Sequence, residues 1–213
     1  NRFVPLTANE LRIYSTIDSL RDLPAFRRRM NLVLFLTSGY LDLGKIEFGP
    51  SSSFYSYNRI EGQRFRLGLR TSTDLSKKFV LEGYGAIGLK DRELKYSGSA
   101  TWSFTPRSIY QFPVKSLKVS YMKDIRIPGQ ELLLIQPDNL FFSLKRGVSD
   151  KFLLNNTFRI EHLNEFENHF SYLLGSSCTR QFPKGDLSFN TLCYGSETGA
   201  VDHIDISEPY LNL

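Results

Sequence analysis

Residues 79–104 carry the feature that most constrains the fold, because two runs of alternating apolar and polar side chains follow each other across a short connection. In the second run, residues 94–104, every second residue is apolar or small and polar residues occupy all the positions between, while the first run carries apolar or small residues at the matching positions. Pairing Leu89 with Leu94 places Leu81 opposite Trp102 and brings the two apolar faces together. The pattern predicts an antiparallel hairpin that is apolar on one side and polar on the other.

Aromatic side chains lie near both ends of this apolar face, with small residues between them. From Tyr96 to Phe104 the strand spans on the order of 20 Å of membrane normal, at about 3.3 Å per residue and a tilt of about 40°. That span matches the apolar band of an outer-membrane β-barrel. The longest uninterrupted apolar run, Leu32–Leu36, is far shorter than the roughly 20 residues of a membrane-spanning helix, so strands would do any spanning.

The bulk composition allows a packed core but does not distinguish a membrane protein from a water-soluble one. The 213 residues are 41% hydrophobic and 14% aromatic, which excludes disorder as the main state. The formal net charge is +5, yet the basic residues are spread over many strands and turns, so we expect no nucleic-acid partner. Cys178 and Cys193 are the only cysteines, too few for a disulfide scaffold, and whether they pair stays open.

The pattern divides the chain into an N-terminal helical segment, residues 1–42, and a β region, residues 43–213. In the first, Thr7 and Glu10 have the spacing of a capping box, and Pro24 is typical of the first turn of a second helix. That helix has a basic head and an apolar body, which suits either a membrane interface or packing on the floor of a barrel. The chain starts without methionine and stops within a predicted strand, so we expect a fragment of a larger barrel.

The β region predicts about ten strands, many as long as transmembrane strands, in antiparallel up-and-down order. Apolar matching sets Leu67 opposite Leu81 and, further along, Ile160 opposite Tyr172. We therefore predict a mostly β chain, an antiparallel up-and-down transmembrane β-barrel that is partial here, with two short N-terminal helices. The predicted strand ranges are 43–55, 62–71, 78–89, 94–105, 115–123, 139–146, 151–163, 169–180, 187–194 and 203–213.

The alternation assigns two sets of residues to the two faces of the predicted wall. The lipid-facing set is Phe65, Leu67, Leu69, Phe79, Leu81, Trp102, Phe104, Phe142, Leu154, Phe158, Ile160, Tyr172 and Leu174. The lumen-facing charged set is Arg64, Arg66, Arg70, Glu82, Lys95, Lys118, Lys145, Arg159 and Glu161. Cations outnumber carboxylates in the second set, which indicates either an anion-preferring lumen or plain solvation of a wet interior.

No motif in the chain requires catalysis, a metal or a cofactor. The three histidines stand in no metal-ligand spacing with the cysteines or with a carboxylate cluster. His169 and Ser171 share the polar face of one predicted strand, with Glu161 opposite, an arrangement similar to that of an outer-membrane phospholipase. Side chains two apart on a strand lie roughly 6 to 7 Å apart, beyond hydrogen-bond reach, so we expect a protein without enzymatic activity or cofactor.

Several short motifs resemble a Bacteroidota-type outer-membrane family of unknown function. They are Ser-Tyr-Asn-Arg-Ile-Glu-Gly at residues 56–62 and the segments 64–68, 77–79, 82–84, 127–131, 142–147, 163–166 and 168–170. In that family, domain of unknown function 5686, a carboxypeptidase-regulatory-like domain precedes a β-barrel. Asn-Arg-Ile-Glu-Gly before an arginine-rich strand is also similar to barrels of the Omp85 superfamily of assembly and translocation proteins. The resemblance implies the outer membrane of a Gram-negative bacterium and brings no catalytic or ligand-binding residues.

The sequence therefore predicts an outer-membrane β-barrel protein that acts in transport, translocation or envelope assembly. Its expected partners are outer-membrane lipid and other envelope proteins, including periplasmic ones. A soluble β-barrel that binds a lipid or other apolar ligand inside stays open, because strand alternation does not distinguish inside from outside. A third interpretation is an outer-membrane lipid hydrolase built around His169 and Ser171.

Overall fold

The computed structural model describes residues 7, 9, 12–14, 16–17, 23–106, 108–128, 151–193 and 196–213. The chain divides into two units, residues 1–41 and residues 42–213. In the first unit, helix α1 spans Pro24–Ser38 and has Pro24 in its first turn, as the sequence predicts. Gly39 ends the helix at φ 81°, a conformation that glycine adopts without strain. Among the described residues, no helix is both long enough and apolar enough to cross a membrane.

The second unit is an antiparallel meander, and its first strand begins where the two units divide, at Leu41. Its strands are β1 (Leu41–Asp42), β2 (Ile46–Phe48), β3 (Tyr55–Asn58), β4 (Gly62–Thr71), β5 (Phe79–Gly88), β6 (Leu94–Ser103), β7 (Lys115–Arg126), β8 (Lys151–Glu165), β9 (Ser171–Gly185), β10 (Phe189–Cys193), β11 (Ser196–Val201) and β12 (Ile204–Asn212). Strands make up 59% of the chain, which confirms the prediction of a mostly β, antiparallel up-and-down fold with small helices.

One 10-stranded sheet holds most of these strands, in the order β1-β2-β4-β5-β6-β7-β8-β9-β12, with β3 also paired to β4. Strands β10 and β11 form a separate hairpin between β9 and β12. Over the described residues, β1 and β12 lie at opposite edges of the sheet and do not pair, so no closed barrel forms there. The predicted strand at 139–146 lies outside the described residues.

The predicted strand at 43–55 is wrong, because that segment is interrupted. Strands β2 and β3 pair with different parts of β4, and a 3-10 helix at Ser51–Ser53 separates them. The Gly49 N–H donates to the Gly68 carbonyl at 2.9 Å, so the chain stays beside β4 through the interruption. A side chain at Gly68 would overlap the Gly49 carbonyl, which explains the glycine at this position.

The register of the β5–β6 hairpin differs from the predicted one by two residues. Leu81 pairs with Ala100 and not with Trp102. The predicted register is wrong because residues 89–93 form the turn, with Arg92 at φ 53°, so that Leu94 pairs with Ile87 and not with Leu89. Because the shift is even, each side chain keeps its predicted face.

The two other predicted registers are wrong in the same way. Leu67 pairs with Gly85 in β5, and Ile160 pairs with Ser176 and not with Tyr172. Both shifts are even, four residues each, and in the second the turn occupies residues 166–170, two residues further along the chain than the predicted strand ends indicate. The assignment of residues to faces therefore survives errors in the assignment of partners.

The polar face of the sheet is more enclosed than the apolar face. Along β4, Phe65, Leu67 and Leu69 are exposed, while Arg64 on the opposite face is 1% exposed. Over the described residues, five hydrophobic side chains are buried against thirteen polar or charged ones. Water-soluble folds show the reverse order of burial, so this sheet is inverted relative to them.

Candidate functional site: a buried charge cluster

Five charged side chains and one tyrosine meet on the polar face at one end of the sheet, which we call the cluster end. This end carries the β3–β4 turn, residues 59–61, and the β5–β6 turn, residues 89–93. The opposite end carries the turns at 72–78, 104–114 and 166–170, and we call it the turn end. The charge cluster consists of Glu61, Arg64, Tyr84, Asp91, Lys95 and Asp124.

Arg64 and Asp124 form the centre of the cluster across 60 residues of sequence. The two terminal nitrogens of Arg64 donate to the two carboxylate oxygens of Asp124 at 2.8 and 2.9 Å. The Tyr84 hydroxyl donates to the same carboxylate at 2.6 Å, and the Ile125 N–H donates to it at 2.8 Å. This two-pronged geometry is the strongest form of arginine–carboxylate pairing, and it ties β4 to β7 across two intervening strands.

Glu61 links this pair to a second cation. Arg64 donates to Glu61 at 3.0 Å, and the Lys95 ammonium lies 3.0 Å from the other Glu61 oxygen. Lys95 also contacts the Asp91 carboxylate. Glu61 and Lys95 are both completely buried. Such burial requires every charge to have a partner, because removing an ion from water costs several kcal/mol unless other charges and hydrogen bonds replace the water.

The Asn58 side chain shapes the turn that brings Glu61 into the cluster. Its oxygen accepts hydrogen bonds from the Ile60 N–H at 3.1 Å and from the Glu61 N–H at 2.7 Å. Its amide nitrogen donates to the Glu61 carboxylate at 2.6 Å. Asparagine favours such turns because its side chain bonds to backbone groups two or three residues ahead. The Asn-Arg-Ile-Glu-Gly motif thus encodes both the turn and its buried carboxylate.

Gly88, at the end of β5, provides the space that Glu61 occupies. A Cβ at this position would lie 2.6 Å from the Glu61 Cβ and 2.6 Å from an Asp91 carboxylate oxygen. We expect Gly88→Ala to lower the free energy of unfolding by about 1–3 kcal/mol, since the turn backbone or both carboxylates must move. Denaturant titration of the purified variant measures this loss.

Gly85 provides the matched control for Gly88→Ala on the same strand. A Cβ at Gly85 would meet no atom within 4 Å, so Gly85→Ala is expected to change stability by less than about 0.5 kcal/mol. Equal losses for the two variants would contradict the close packing of Glu61 on Gly88.

The predicted lumen-facing cations all lie on the polar face where they are described, and each has a partner. Arg64 and Lys95 belong to the charge cluster. The Arg70 guanidinium donates to Glu47 at 2.5 Å, Lys118 to Glu82 at 2.8 Å, and Arg159 lies 3.9 Å from Glu161. Arg66 lies over the Tyr84 ring at 3.5 Å, and Lys145 lies outside the described residues. The charges on the described polar face are therefore nearly balanced, and they give no basis for anion preference.

The predicted lipid-facing residues that the structure describes all lie on the exposed face by alternation, but one of them is buried there. Phe79 and Tyr172 are half-buried, and Phe142 lies outside the described residues. Leu154 is 5% exposed because it packs with Ile125 and Phe152 near the cluster end, so its prediction as a lipid-facing residue is wrong. The other members are between 40% and 60% exposed, namely Phe65, Leu67, Leu69, Leu81, Trp102, Phe104, Phe158, Ile160 and Leu174.

The prediction that His169 and Ser171 share the polar face of one strand, with Glu161 opposite, is wrong. His169 lies in the β8–β9 turn at φ 65° and stacks on Phe112 with ring centroids 4.9 Å apart. Ser171 begins β9 and pairs with Glu165, while Glu161 pairs with Gly175. Within the described residues, no group of histidine, cysteine and acidic side chains is arranged to hold a metal ion, and Cys178 is a free thiol.

Three acidic members of the charge cluster were missed from the sequence, namely Glu61, Asp91 and Asp124. Glu61 and Asp91 lie in turns, where strand alternation assigns no face. Asp124 has the correct parity for the polar face of β7, but the predicted strand ends one residue before it.

No protein-family model, curated protein or solved structure matches the chain.

Proposed function

We propose that this chain forms the wall of an outer-membrane β-barrel that acts in transport, translocation or envelope assembly and not in catalysis. The observation that carries the proposal is the inverted sheet, whose apolar face is exposed while its polar face buries charges. Transmembrane barrels alternate lipid-facing apolar residues with polar residues toward the interior, which is the pattern seen here. The likeness to the Bacteroidota outer-membrane family and the Gram-negative location are part of this proposal.

The exposed face also has a boundary on each side, as a bilayer would require. Trp102 contacts Phe79 toward the turn end, with ring centroids 6.0 Å apart, and Tyr96 contacts Tyr121 toward the cluster end at 5.9 Å. Along β6 the two rows are separated by Gly98, Ala100 and about 15 Å of membrane normal, at about 3.3 Å per residue and 40° tilt. Aromatic girdles flank the apolar band of outer-membrane barrels in this way.

Charged pairs lie on the same face at the aromatic row of the cluster end, where Lys123 pairs with Tyr96 in the ladder. Lys123 and Lys184 both contact the Glu93 carboxylate, at 3.3 and 3.6 Å. Arg180 donates to Asp205 at 2.7 Å. Charged side chains are costly in hydrocarbon and inexpensive at its edge, so these pairs suit the headgroup layer.

A soluble barrel with an apolar ligand inside is the alternative that these observations disfavour. Such a protein would enclose its apolar face and wet its polar face, because bulk apolar side chains stabilise a closed core. Here Leu67 is 60% exposed and Lys95 is fully buried. An ester hydrolase at His169 and Ser171 has no supporting contact between the two side chains over the described residues.

The fluorescence of Trp102, the only tryptophan, tests the proposal directly. The purified protein is reconstituted into vesicles whose acyl chains carry bromine, which quenches tryptophan only on contact. Because Trp102 is 51% exposed on the apolar face, we expect strong quenching by these lipids and weak quenching by aqueous iodide. Recovery in the outer-membrane fraction and a gel band that shifts on boiling accompany the test.

Moving the tryptophan by one residue gives the matched control. In the double variant Trp102→Phe, Thr101→Trp, the indole lies on the polar face, since neighbouring strand residues point to opposite sides. Brominated lipid is expected to leave this indole unquenched. Iodide quenching of native Trp102 with no response to brominated lipid would overturn the membrane proposal and favour the soluble alternative.

A further inference from the structure

A row of polar side chains crosses the exposed, otherwise apolar face of the sheet at the cluster end. Ladder pairing places Lys123 of β7 beside Asn156 of β8, and Asn156 beside Arg180 of β9. Asp205 of β12 completes the row beside Arg180. Neighbouring strands lie about 4.8 Å apart, so the backbones of the two cationic residues are about 10 Å apart, with Asn156 between them. We call these four residues the polar row.

Two grooves in the exposed face meet at Asn156. The first has a volume of about 320 Å³, and the Arg180–Asp205 ion pair forms part of its lining. The second has a volume of about 390 Å³ and is lined in part by Lys123 and Lys184. Both volumes lie near the lower end of the range of small-ligand pockets, about 300–1,000 Å³. The polar row therefore lies in space that a ligand group is able to enter.

The polar row has hydrogen-bonding capacity that the described part of the chain does not use. The Asn156 amide oxygen is buried there without a hydrogen-bond partner. Arg180 donates to Asp205 through Nε at 2.7 Å and through one terminal nitrogen at 3.0 Å, and its other terminal nitrogen makes no hydrogen bond to the described residues. Buried polar atoms in proteins nearly always have a partner. A fitting ligand thus brings an acceptor for the guanidinium and a donor for the amide oxygen.

The charges around the two grooves balance among the described residues. Lys123 and Lys184 share the Glu93 carboxylate, at 3.3 and 3.6 Å. Asp202 also lines the second groove, and the ion pair of the polar row adds one charge of each sign. Three cations and three carboxylates therefore share one region of the surface. Such a region complements a headgroup that carries both a phosphate and an ammonium better than a headgroup that is only anionic.

The rows next to the polar row, toward the middle of the sheet, provide an apolar surface. Cys178 follows Arg180 on the same face of β9, beside Phe158 of β8. Ser176 comes next, beside Ile160. Cys178 and Ser176 are small, whereas Phe158 and Ile160 are 43% and 40% exposed, so larger apolar side chains border a shallow strip along β9. An acyl chain that lies on this strip buries apolar surface, which a free phosphate ion does not. The polar row and the strip together favour a lipid.

We propose that the polar row binds a phospholipid whose headgroup is ethanolamine phosphate. The inference rests on the proposed function, and it adds one specific lipid site to the lipid-facing surface. The phosphate accepts hydrogen bonds from Lys123 and Arg180, and the primary ammonium donates to the Asn156 oxygen. A choline headgroup has the same charges but no N–H group to donate, so it binds more weakly. The acyl chains run along the strip at Cys178 and Ser176.

Protection of the Cys178 thiol tests the site, because this thiol is exposed and lines the first groove. Cys193→Ser makes Cys178 the single thiol of the chain. The rate of its reaction with a water-soluble methanethiosulfonate is measured in neutral detergent micelles as lipid is added. We expect phosphatidylethanolamine to slow the reaction several-fold and saturably, at lower concentration than phosphatidylcholine or phosphatidylglycerol. Glycerophosphoethanolamine, the same headgroup without acyl chains, is expected to give no protection at that concentration.

Two variants and a matched control connect the protection to the polar row. Lys123→Gln and Arg180→Gln each remove one cation, and each is expected to raise the half-protecting concentration of phosphatidylethanolamine several-fold. The second variant serves if the first does not fold. Lys118→Gln is the control, because it makes the same change on the same strand but on the polar face, where Lys118 pairs with Glu82. Its half-protecting concentration is expected to equal that of the parent.

The remaining outcomes separate the lipid site from the proposed function. Equal protection by the three lipids, or protection that Lys123→Gln and Arg180→Gln leave unchanged, would indicate a lipid coat without a headgroup site and overturn the inference alone. Protection by glycerophosphoethanolamine as strong as that by the lipid would overturn the lipid as the source of the phosphate. Absence of protection, with Trp102 quenched by brominated lipid, would overturn the site and leave the proposed function standing. Absence of protection with Trp102 quenched only by iodide would overturn both proposals.

Discussion

Replacement of Arg64 by alanine is expected to lower the free energy of unfolding by about 3–5 kcal/mol, the usual cost of removing one partner of a buried ion pair. Arg64 supplies both cationic prongs to Asp124 and a further hydrogen bond to Glu61. Without it, Asp124 stays 5% exposed with only neutral donors, and Glu61 depends on Lys95 and Asn58. The loss of stability is large because two buried carboxylates, Glu61 and Asp124, lose their shared cationic partner at once.

Urea titration of the protein in detergent micelles, followed by Trp102 fluorescence, measures this loss. Arg180→Ala is the matched control, since the side chains of Arg180 and Asp205 are 53% and 55% exposed. Water already solvates that pair, so the control is expected to leave the unfolding midpoint nearly unchanged. A loss for Arg64→Ala as small as that for the control would show that water reaches the cluster, in disagreement with its burial.

The substitution Leu81→Arg is expected to cost about 2–4 kcal/mol if its site lies near the bilayer midplane, and much less near an interface. Leu81 is 44% exposed on the apolar face, opposite Ala100 and between the two aromatic rows. A guanidinium there has to enter hydrocarbon or bend toward the headgroups. We expect the folded band of this variant to lose its heat resistance in detergent at a lower temperature than that of the parent.

Ser99→Arg is the control for this substitution, because it adds the same side chain to the opposite face. Ser99 pairs with Glu82 and donates to its carboxylate at 2.9 Å, so the new guanidinium gains a carboxylate partner. Its effect is expected to stay within about 0.5 kcal/mol. If Leu81→Arg proves equally neutral, the apolar face meets water in the folded protein and the membrane proposal fails.

The face of each strand residue was predictable because side chains alternate with a period of two, whatever the partner strand. Arg64 and Leu67 lie on their predicted faces although the partner of Leu67 was wrong. A register depends on where the turn begins, and turns such as residues 89–93 contain no hydrophobic pattern. Errors of register were therefore even in size, since an odd shift would have exposed polar side chains on the apolar face.

The charge cluster was only half predictable, because two of its three carboxylates come from turns. Arg64 and Lys95 were assigned to the polar face, and their partners Glu61 and Asp91 were not. Burial of Leu154 was missed for a related reason. Its parity is that of the exposed face, but packing with Ile125 and Phe152 at the end of the strand covers it. Alternation describes the middle of a strand, and contacts between strand ends depend on the folded chain.

The β10–β11 hairpin is inserted between β9 and β12 and forms no part of the main sheet. Strands β9 and β12 pair over nine residue pairs, from Ile204 with Gln181 to Asn212 with Leu173, while the hairpin between them pairs only within itself over the described residues. The hairpin thus adds no ladder pair to the main sheet over the described residues, and we expect a change in the length of this cassette, residues 186–203, to leave the β9–β12 ladder in place. A peptide tag spliced into this cassette would be carried by the folded protein at its cluster end.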